Sequence, residues 1–269
     1  MTSTPGLSDA EVTRRRRPVP TAIVVLAGLL FTGLAYTALG GGSRARAEDT
    51  ASSTQIEAGR AMFKTGCSSC HGLNAQGGGQ APSLIGVGAA AVDFQVSTGR
   101  MPLARNGPQA ERKTPRYTRD EIEALAAYVA SLGGGPAIPS ADQLAGISDA
   151  DLAAGGSAFR TNCASCHNFA GKGGALANGK FAPGMSGADA RQIYEAMLSG
   201  PENMPVFSDN QLTPEAKAQI IRYIEHLEAQ KDPGGFALGR VGPVPETVVA
   251  FLVGIIGCVI FALWIGART

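Results

Sequence analysis

Apolar residues follow two different patterns along the chain. Two uninterrupted apolar runs, residues 19–39 and 248–265, lie near the ends of the sequence. The length of each run is close to that of a helix that crosses a lipid bilayer, which needs about 20 apolar residues. Between them, apolar residues recur at helical spacing and are separated by glycine-rich stretches, as in short helices joined by loops. The pattern predicts a mainly α protein with an N-terminal and a C-terminal transmembrane helix.

Charged residues beside the apolar runs indicate their orientation. Four consecutive arginines, residues 14–17, precede the first run, and Arg268 follows the second. Arginine and lysine concentrate on the cytoplasmic side of membrane proteins. Both termini are therefore expected in the cytoplasm, and the region between the runs outside it, at the cell membrane.

A cleaved signal peptide is the alternative for the first run. Residues 45–47, Ala-Arg-Ala, have the small-residue pattern of a cleavage site. The apolar part of a signal peptide is about 7–15 residues long, however, and this run is longer. The length favours a retained signal-anchor, and the location of the central region is the same either way.

An internal repeat organises the central region. Residues 57–71 align with residues 153–167 at a constant offset of 96. Each copy ends in the pentapeptide CxxCH and is followed by a second helical pattern. The first of these patterns begins with a capping box at Thr118–Glu121, and the second begins at Thr213–Pro214, a cap residue followed by proline. Two tandem domains of similar construction are the result.

The CxxCH pentapeptide is the attachment signature of c-type haem. Its two thiols form thioethers to the vinyl groups of one porphyrin, and the adjacent histidine reaches the iron. The covalent attachment residues are predicted to be Cys67, Cys70, Cys163 and Cys166, and the proximal iron ligands His71 and His167. Two covalently bound c-type haems are expected.

Zinc and thiol redox chemistry are the alternatives for these cysteines. A closed zinc site needs four ligands, and beyond the two motifs the chain offers only His226 and Cys258. A thioredoxin-like CxxC pair belongs to a βαβ context, which the pattern does not predict. Haem attachment is the interpretation that fits both motifs.

The sixth iron ligands are predicted to be methionines because histidines are scarce. Met101 and Met204 each follow their own CxxCH, precede their own closing helix and are followed by proline. Met185 and Met197 are better candidates for core packing. His/Met ligation fills both axial positions, so electron transfer is expected and a catalytic residue is not.

Two prolines are candidates for orienting the histidines. Pro82 and Pro183 lie in the loops after the two motifs. A backbone carbonyl there could accept the imidazole N–H, which is a common arrangement around metal-ligating histidines. The alternative is that the two prolines only shape the loops.

The domain boundaries follow from the repeat, the apolar runs and the glycine- and proline-rich joints. A class I cytochrome c fold is expected for each haem domain. The segments are a cytoplasmic arm (1–18), a transmembrane helix (19–40), cytochrome c domain 1 (50–132), a linker (133–147), cytochrome c domain 2 (148–230), a linker (231–245) and a transmembrane helix (246–266).

On these motifs the chain resembles the dihaem cytochrome c subunit of the actinobacterial cytochrome bcc complex, a menaquinol:cytochrome c oxidoreductase. The most specific stretches are residues 83–88, 94–102 and 162–169. The resemblance implies an electron-transfer subunit of a quinol–cytochrome c reductase. It further implies partnership with a cytochrome b subunit, a Rieske iron–sulfur subunit and an aa3-type oxidase.

Other function classes are weighed against this one. The exported region has slightly more acidic than basic side chains, which excludes a nucleic-acid-binding surface. A dihaem peroxidase needs an open axial position, which two complete His/Met sets would not leave. An anchored dihaem carrier that serves another dehydrogenase or reductase remains the alternative.

Overall fold

Helices make up most of the described chain. The computed structural model describes residues 18–39, 51–230, 238–240 and 243–268. The described residues of one unit form helix α1, Pro18–Leu39, and a second unit begins at Ala51 and contains the other described residues. The prediction of a mainly helical protein is confirmed.

Domain 1 is built on two helices that cross at a glycine. Its helices are α2 (Ser53–Gly66), α3 (Ser68–His71), α4 (Gly88–Ser97) and α5 (Arg119–Ser131). Gly59 of α2 lies so close to α5 that a Cβ there would overlap the carbonyl oxygen of Ala124. One turn later Phe63 packs on Tyr128, with 5.3 Å between ring centroids. The two helices therefore enclose the core of the domain from both sides.

Domain 2 repeats this crossing. Its elements are α6 (Ala141–Ala145), α7 (Leu152–Asn162), α8 (Ala164–His167), the antiparallel pair β1 (Gly174–Ala175) and β2 (Phe181–Ala182), α9 (Ala190–Ser199) and α10 (Pro214–Ala229). A Cβ at Gly155 would overlap the carbonyl oxygen of Gln219. Phe159 packs on Tyr223 at 5.4 Å. The sequence repeat is thus a repeat of helix packing.

Both closing helices begin where the sequence predicts. At the start of α5 the Thr118 N–H donates to a carboxylate oxygen of Glu121 at 2.8 Å. At the start of α10 the Thr213 hydroxyl accepts from the Ala216 N–H at 3.2 Å, with Pro214 in the first turn. These bonds satisfy N–H groups that the helix itself leaves unpaired.

The segment predicted as a linker, residues 133–147, is folded against both domains. The Ala90 N–H donates to the Pro136 carbonyl at 3.1 Å, which ties the segment to domain 1. Its helix α6 has a capping box formed by Ser140 and Gln143. The Gln143 amide donates to the Tyr194 hydroxyl in domain 2 at 3.1 Å. The glycine and proline residues of this segment allow its backbone to lie in close contact with its neighbours.

The last apolar run forms a helix with every described side chain exposed or nearly so. It comprises α11 (Pro243–Val249), a π-helical turn (Ala250–Ile255) and α12 (Ile256–Gly266). Within it, Pro245–Gly266 is long and apolar enough to cross a membrane, with a mean hydropathy of 2.9. In α1 the described side chains, Ala22–Leu34, form an apolar stretch shorter than a membrane span.

Gly155→Ala should destabilise domain 2 because the added methyl overlaps backbone that cannot rotate away. Overpacking of this kind costs about 1–3 kcal/mol. The measurement is thermal unfolding of the detergent-solubilised protein, followed by visible absorbance. Gly146→Ala is the control, since its Cβ would lie 3.7 Å from the nearest atom. An equal response of the two variants would contradict the close-crossing interpretation.

Candidate haem sites

Each CxxCH pentapeptide forms a single helical turn. In domain 1 the His71 N–H donates to the Cys67 carbonyl at 3.0 Å, and in domain 2 the His167 N–H donates to the Cys163 carbonyl at 2.9 Å. The turn follows directly on α2 or α7, which ends at the residue before the first cysteine. Both thiols and the imidazole are thereby brought to one short segment of backbone.

Each histidine ring is oriented by a proline carbonyl. Nδ1 of His71 lies 2.9 Å from the Pro82 oxygen, and Nδ1 of His167 lies 2.9 Å from the Pro183 oxygen. Because a carbonyl only accepts, the proton is on Nδ1 and Nε2 keeps its lone pair. The suggested role of the two prolines is confirmed. The arrangement leaves Nε2 as the nitrogen able to bind iron.

One glycine in each loop allows the chain to return to the histidine. Gly77 has φ +80° and Gly173 has φ +82°, and they are equivalent in the repeat. A Cβ at Gly77 would overlap the backbone of Ser83, and one at Gly173 would overlap the Ala182 carbonyl. A left-handed residue without a side chain is therefore required to place each proline carbonyl.

A cavity of about 490 Å³ lies in domain 2. Cys163, Cys166 and His167 line it on one wall, and Met204 lines it as well. Its walls are mostly apolar, and its volume falls in the range of about 300–1,000 Å³ usual for cofactor pockets. Thiols, an oriented imidazole and an apolar chamber together fit a covalently attached haem.

Burial sets the protonation of these groups. Burial lowers the pKa of His167, an effect that the hydrogen bond to Pro183 opposes, so the imidazole is neutral. Burial, with a contribution from Cys166, raises the pKa of Cys163 to about 11. Among the described residues no three His, Cys, Asp or Glu side chains are grouped to hold a metal ion.

Met101 lies in a loop that one lysine fixes. The Met101 N–H donates to the Gln95 carbonyl at 2.9 Å. Lys113 Nζ donates to the carbonyls on either side of the methionine, Arg100 at 3.1 Å and Pro102 at 3.2 Å. The side chain packs against the core of domain 1, as does Cys67. Met101 is thus a fixed residue of its domain, although it lies in a loop.

Three methionines line the cavity of domain 2. Met197 is 2 % exposed on α9 and belongs to the core, as predicted. Met185 and Met204 lie in loops and pack on the edge of that core. The Met204 N–H donates to the Pro201 carbonyl at 3.0 Å. The structure therefore brings Met204 and His167 to the same cavity, as the ligand prediction requires.

The two haem domains share a contact that the sequence did not suggest. Helix α4 packs on α9. The Gln109 amide pairs with both backbone groups of Phe181, each at 2.9 Å. The Ala110 N–H donates to Glu202 at 2.8 Å. A loop of domain 1 thus lies against the haem cavity of domain 2.

A buried acid pair lies within this contact. Asp93 of α4 and Glu195 of α9 are both fully buried. Arg119 binds Asp93 through two hydrogen bonds of 2.6 and 2.5 Å, and Arg191 lies 3.8 Å away. Burial, with the adjacent charge of Asp93, raises the pKa of Glu195 to about 10. Glu195 is therefore a neutral acid beside Asp93, and its carboxyl oxygens have no hydrogen-bond partner among the described residues.

One signal for this pair was available in the sequence. Asp93 is the only charged residue in α4, and an acid inside an apolar helix is buried only with a partner. The partners Arg119 and Glu195 are distant in sequence, so nothing in the local pattern names them. Their identity requires the tertiary structure.

Comparison with family models finds two cytochrome domains. Residues 56–133 match the family "Cytochrome c", and residues 150–224 match "Cytochrome C oxidase, cbb3-type, subunit III". The two matches coincide with domains 1 and 2. The expectation of two cytochrome c domains is confirmed.

Whole-chain relatives carry one common name, "Cytochrome bc1 complex cytochrome c subunit". A Mycobacterium bovis protein is 45% identical over 98% of this chain and 97% of its own length. A Mycobacterium leprae protein is 48% identical over 82% of this chain and 78% of its own. A Corynebacterium efficiens protein is 43% identical over 94% and 90%. The similarity therefore extends well beyond the haem motifs.

Glu195→Gln should change how stability depends on pH. Between the usual carboxyl pKa and about 10, folded Glu195 keeps a proton that the unfolded chain releases, so stability falls as pH rises. Glutamine lacks this proton. The free energy of unfolding of the variant relative to the native protein should rise by up to about 1.4 kcal/mol per pH unit.

Denaturant unfolding in detergent at several pH values measures this difference. Glu225→Gln is the control, because that side chain is 44% exposed on α10. It should keep the native pH dependence. A Glu195→Gln offset that stays constant with pH would show that Glu195 is ionised in the folded protein.

Proposed function

The chain belongs to the family of cytochrome c subunits of the cytochrome bc1 complex, and we propose that it relays electrons through two covalently bound c-type haems. The observation that supports this most directly is structural repetition. Each domain has one CxxCH turn, one proline carbonyl on the histidine and one loop with a Met-Pro pair. The simplest interpretation is that each domain holds one electron-carrying haem.

The residues have separate roles at each site. Each haem, when bound, supplies an iron that gains and loses one electron. Cys67 and Cys70, or Cys163 and Cys166, attach it covalently. His71 or His167 binds the iron through Nε2, since Nδ1 is engaged with proline. Met101 and Met204 are proposed as the sixth ligands, and apolar walls exclude water.

This ligand set supports a carrier rather than an enzyme acting on its own substrate. A histidine and a methionine for each iron would leave no coordination position for peroxide. The remaining histidine, His226, is on α10 next to Gln230 and does not line the domain 2 cavity. Substrate chemistry is proposed to belong to the other subunits of the complex.

Two membrane helices are proposed to hold the domains at the outer surface of the cell membrane. The C-terminal helix satisfies the length and composition of a span, and Arg268 at its end suits the cytoplasmic side. The first apolar run and its preceding arginines suit an inward N-terminus. Such a chain cannot diffuse away as a soluble carrier does.

The proposed partners follow from this attachment. Donor and acceptor must come to a fixed carrier, so we place it between a Rieske iron–sulfur subunit and an aa3-type oxidase, beside a cytochrome b subunit. The relatives' names specify the bc1 complex. The alternative is an anchored dihaem carrier that serves another dehydrogenase or reductase.

Met101→Leu and Met204→Leu should each lower the potential of one haem. Loss of the thioether leaves the oxidised iron relatively better stabilised. The reduced-to-oxidised ratio at fixed ambient potential should fall at least about tenfold, which is about 59 mV. Redox titration measures it, and the near-infrared sulfur-to-iron band should weaken. Met185→Leu is the control. A larger effect from Met197→Leu would exclude Met204 as the ligand.

The bridging role predicts respiration without a soluble carrier. An assembly purified in mild detergent should take up oxygen with a menaquinol analogue and no added cytochrome c. An oxygen electrode measures the rate, and a Cys163→Ala/Cys166→Ala assembly is the control that should lose it. Dependence on added cytochrome c, with Rieske and oxidase subunits both present, would favour the independent carrier.

A further inference from the structure

The haem cavity of domain 2 is completed by residues of domain 1. Its lining includes a part of α4 and of the loop that follows it, namely Phe94, Arg100, Gln109, Ala110, Glu111 and Arg112. The hydrogen bonds of Gln109 and Ala110 to Phe181 and Glu202 hold this loop in place. A group bound in this cavity therefore contacts both domains.

Arg100 is a cation in this wall with a nitrogen that lacks a partner. It is 8 % exposed, and its Nη1 is buried without a hydrogen bond in the described structure. Its guanidinium lies over the Phe94 ring at 4.8 Å. Burial of an unpaired donor on a charged group is unfavourable. A ligand that accepts from Nη1 would remove this cost.

The other cations of the wall are already engaged. Arg112 donates to the Gln192 side chain at 2.8 Å. Lys180 donates to Asn203 at 2.8 Å. Of the acids in the wall, Glu202 accepts from the Ala110 N–H at 2.8 Å, and Glu111 is exposed. Among the cations that line this wall in the described structure, Arg100 is thus the one with a buried donor nitrogen that has no partner.

A carboxylate is the acceptor that best fits a guanidinium, which binds it with two parallel donors. Haem has two propionates on the pyrrole rings opposite those with the vinyl groups. Attachment at Cys163 and Cys166 would fix the vinyl side, so the propionates would extend away from these two cysteines. We propose that Arg100 of domain 1 binds a propionate of the haem attached to domain 2. This rests on the proposed haem in domain 2.

Such a contact makes Arg100 a positioning residue with an electrostatic effect. A buried positive charge beside a haem favours the reduced form, because reduction adds an electron. A residue of domain 1 would then raise the reduction potential of the haem in domain 2. Its neighbour in sequence, Met101, is proposed to bind the other haem, so adjacent residues would act on different haems.

Arg100→Gln tests the proposal in the full-length, haem-loaded protein. At fixed ambient potential, the reduced-to-oxidised ratio of the domain 2 haem should fall by about tenfold, or about 59 mV. The propionate bending mode in resonance Raman should shift as well. Arg100→Lys keeps the charge and should restore most of the potential. Arg105→Gln is the matched control: this arginine of the same loop is exposed and does not line the cavity.

Single-haem backgrounds assign the effect to one domain. In Cys67→Ala/Cys70→Ala protein, which keeps only the domain 2 haem, Arg100→Gln should still lower the potential. In Cys163→Ala/Cys166→Ala protein, which keeps only the domain 1 haem, Arg100→Gln should leave the potential unchanged. If a background fails to fold, the two-step titration and Raman spectrum of the two-haem protein decide.

Two results would overturn the proposal. One is an unchanged potential and propionate mode in Arg100→Gln, and the other is a shift confined to the domain 1 haem. A pyridine haemochrome assay separates these from failure of the underlying function. If the native protein contains two haems, only the Arg100 assignment is lost. If domain 2 attaches no haem, the proposed function fails with it.

Discussion

A hydrogen bond between an imidazole and a proline carbonyl organises each haem domain. The bond from Nδ1 fixes the rotation of His71 and His167, and it fixes which nitrogen is free. To form it, the loop after CxxCH must turn back within a few residues, which requires a left-handed glycine at position 77 or 173. The helix crossing at Gly59 or Gly155 then provides a rigid base for that loop. The site is therefore determined by backbone geometry more than by the chemistry of its walls.

Contact between the domains adds a second constraint. Arg119 binds Asp93 bidentately inside the contact, whereas burial, with the adjacent charge of Asp93, keeps Glu195 neutral. The Asp93–Arg119 pair lies within domain 1 and does not depend on the contact. Separation of α4 from α9 would let Glu195 ionise in water, so this acid weakens the contact as pH rises.

Much of the site could be predicted from the sequence because its signals are local. CxxCH and the capping residues act within a few residues of their own position, and the prolines lie 11 and 16 residues from their histidines. The aligned segments 57–71 and 153–167 also include Gly59/Gly155 and Phe63/Phe159, which form the two helix crossings. The interpretation of residues 133–147 as a linker did not anticipate α6 or its contact with Tyr194. Arg100, Asp93 and Glu195 could not be assigned, because their partners lie in the other domain or in a distant helix.

The shared cavity wall bears on how two haem domains on one chain can work. Two modules that swing on a flexible tether would each need a complete cavity. Here residues 94–112 of domain 1 close the cavity of domain 2, and backbone hydrogen bonds at Phe181 and Ala110 fix that closure. Opening the contact would expose apolar cavity wall and separate Glu195 from Asp93. For the proposed two-haem relay, transfer between the domains therefore needs no diffusion of one domain relative to the other.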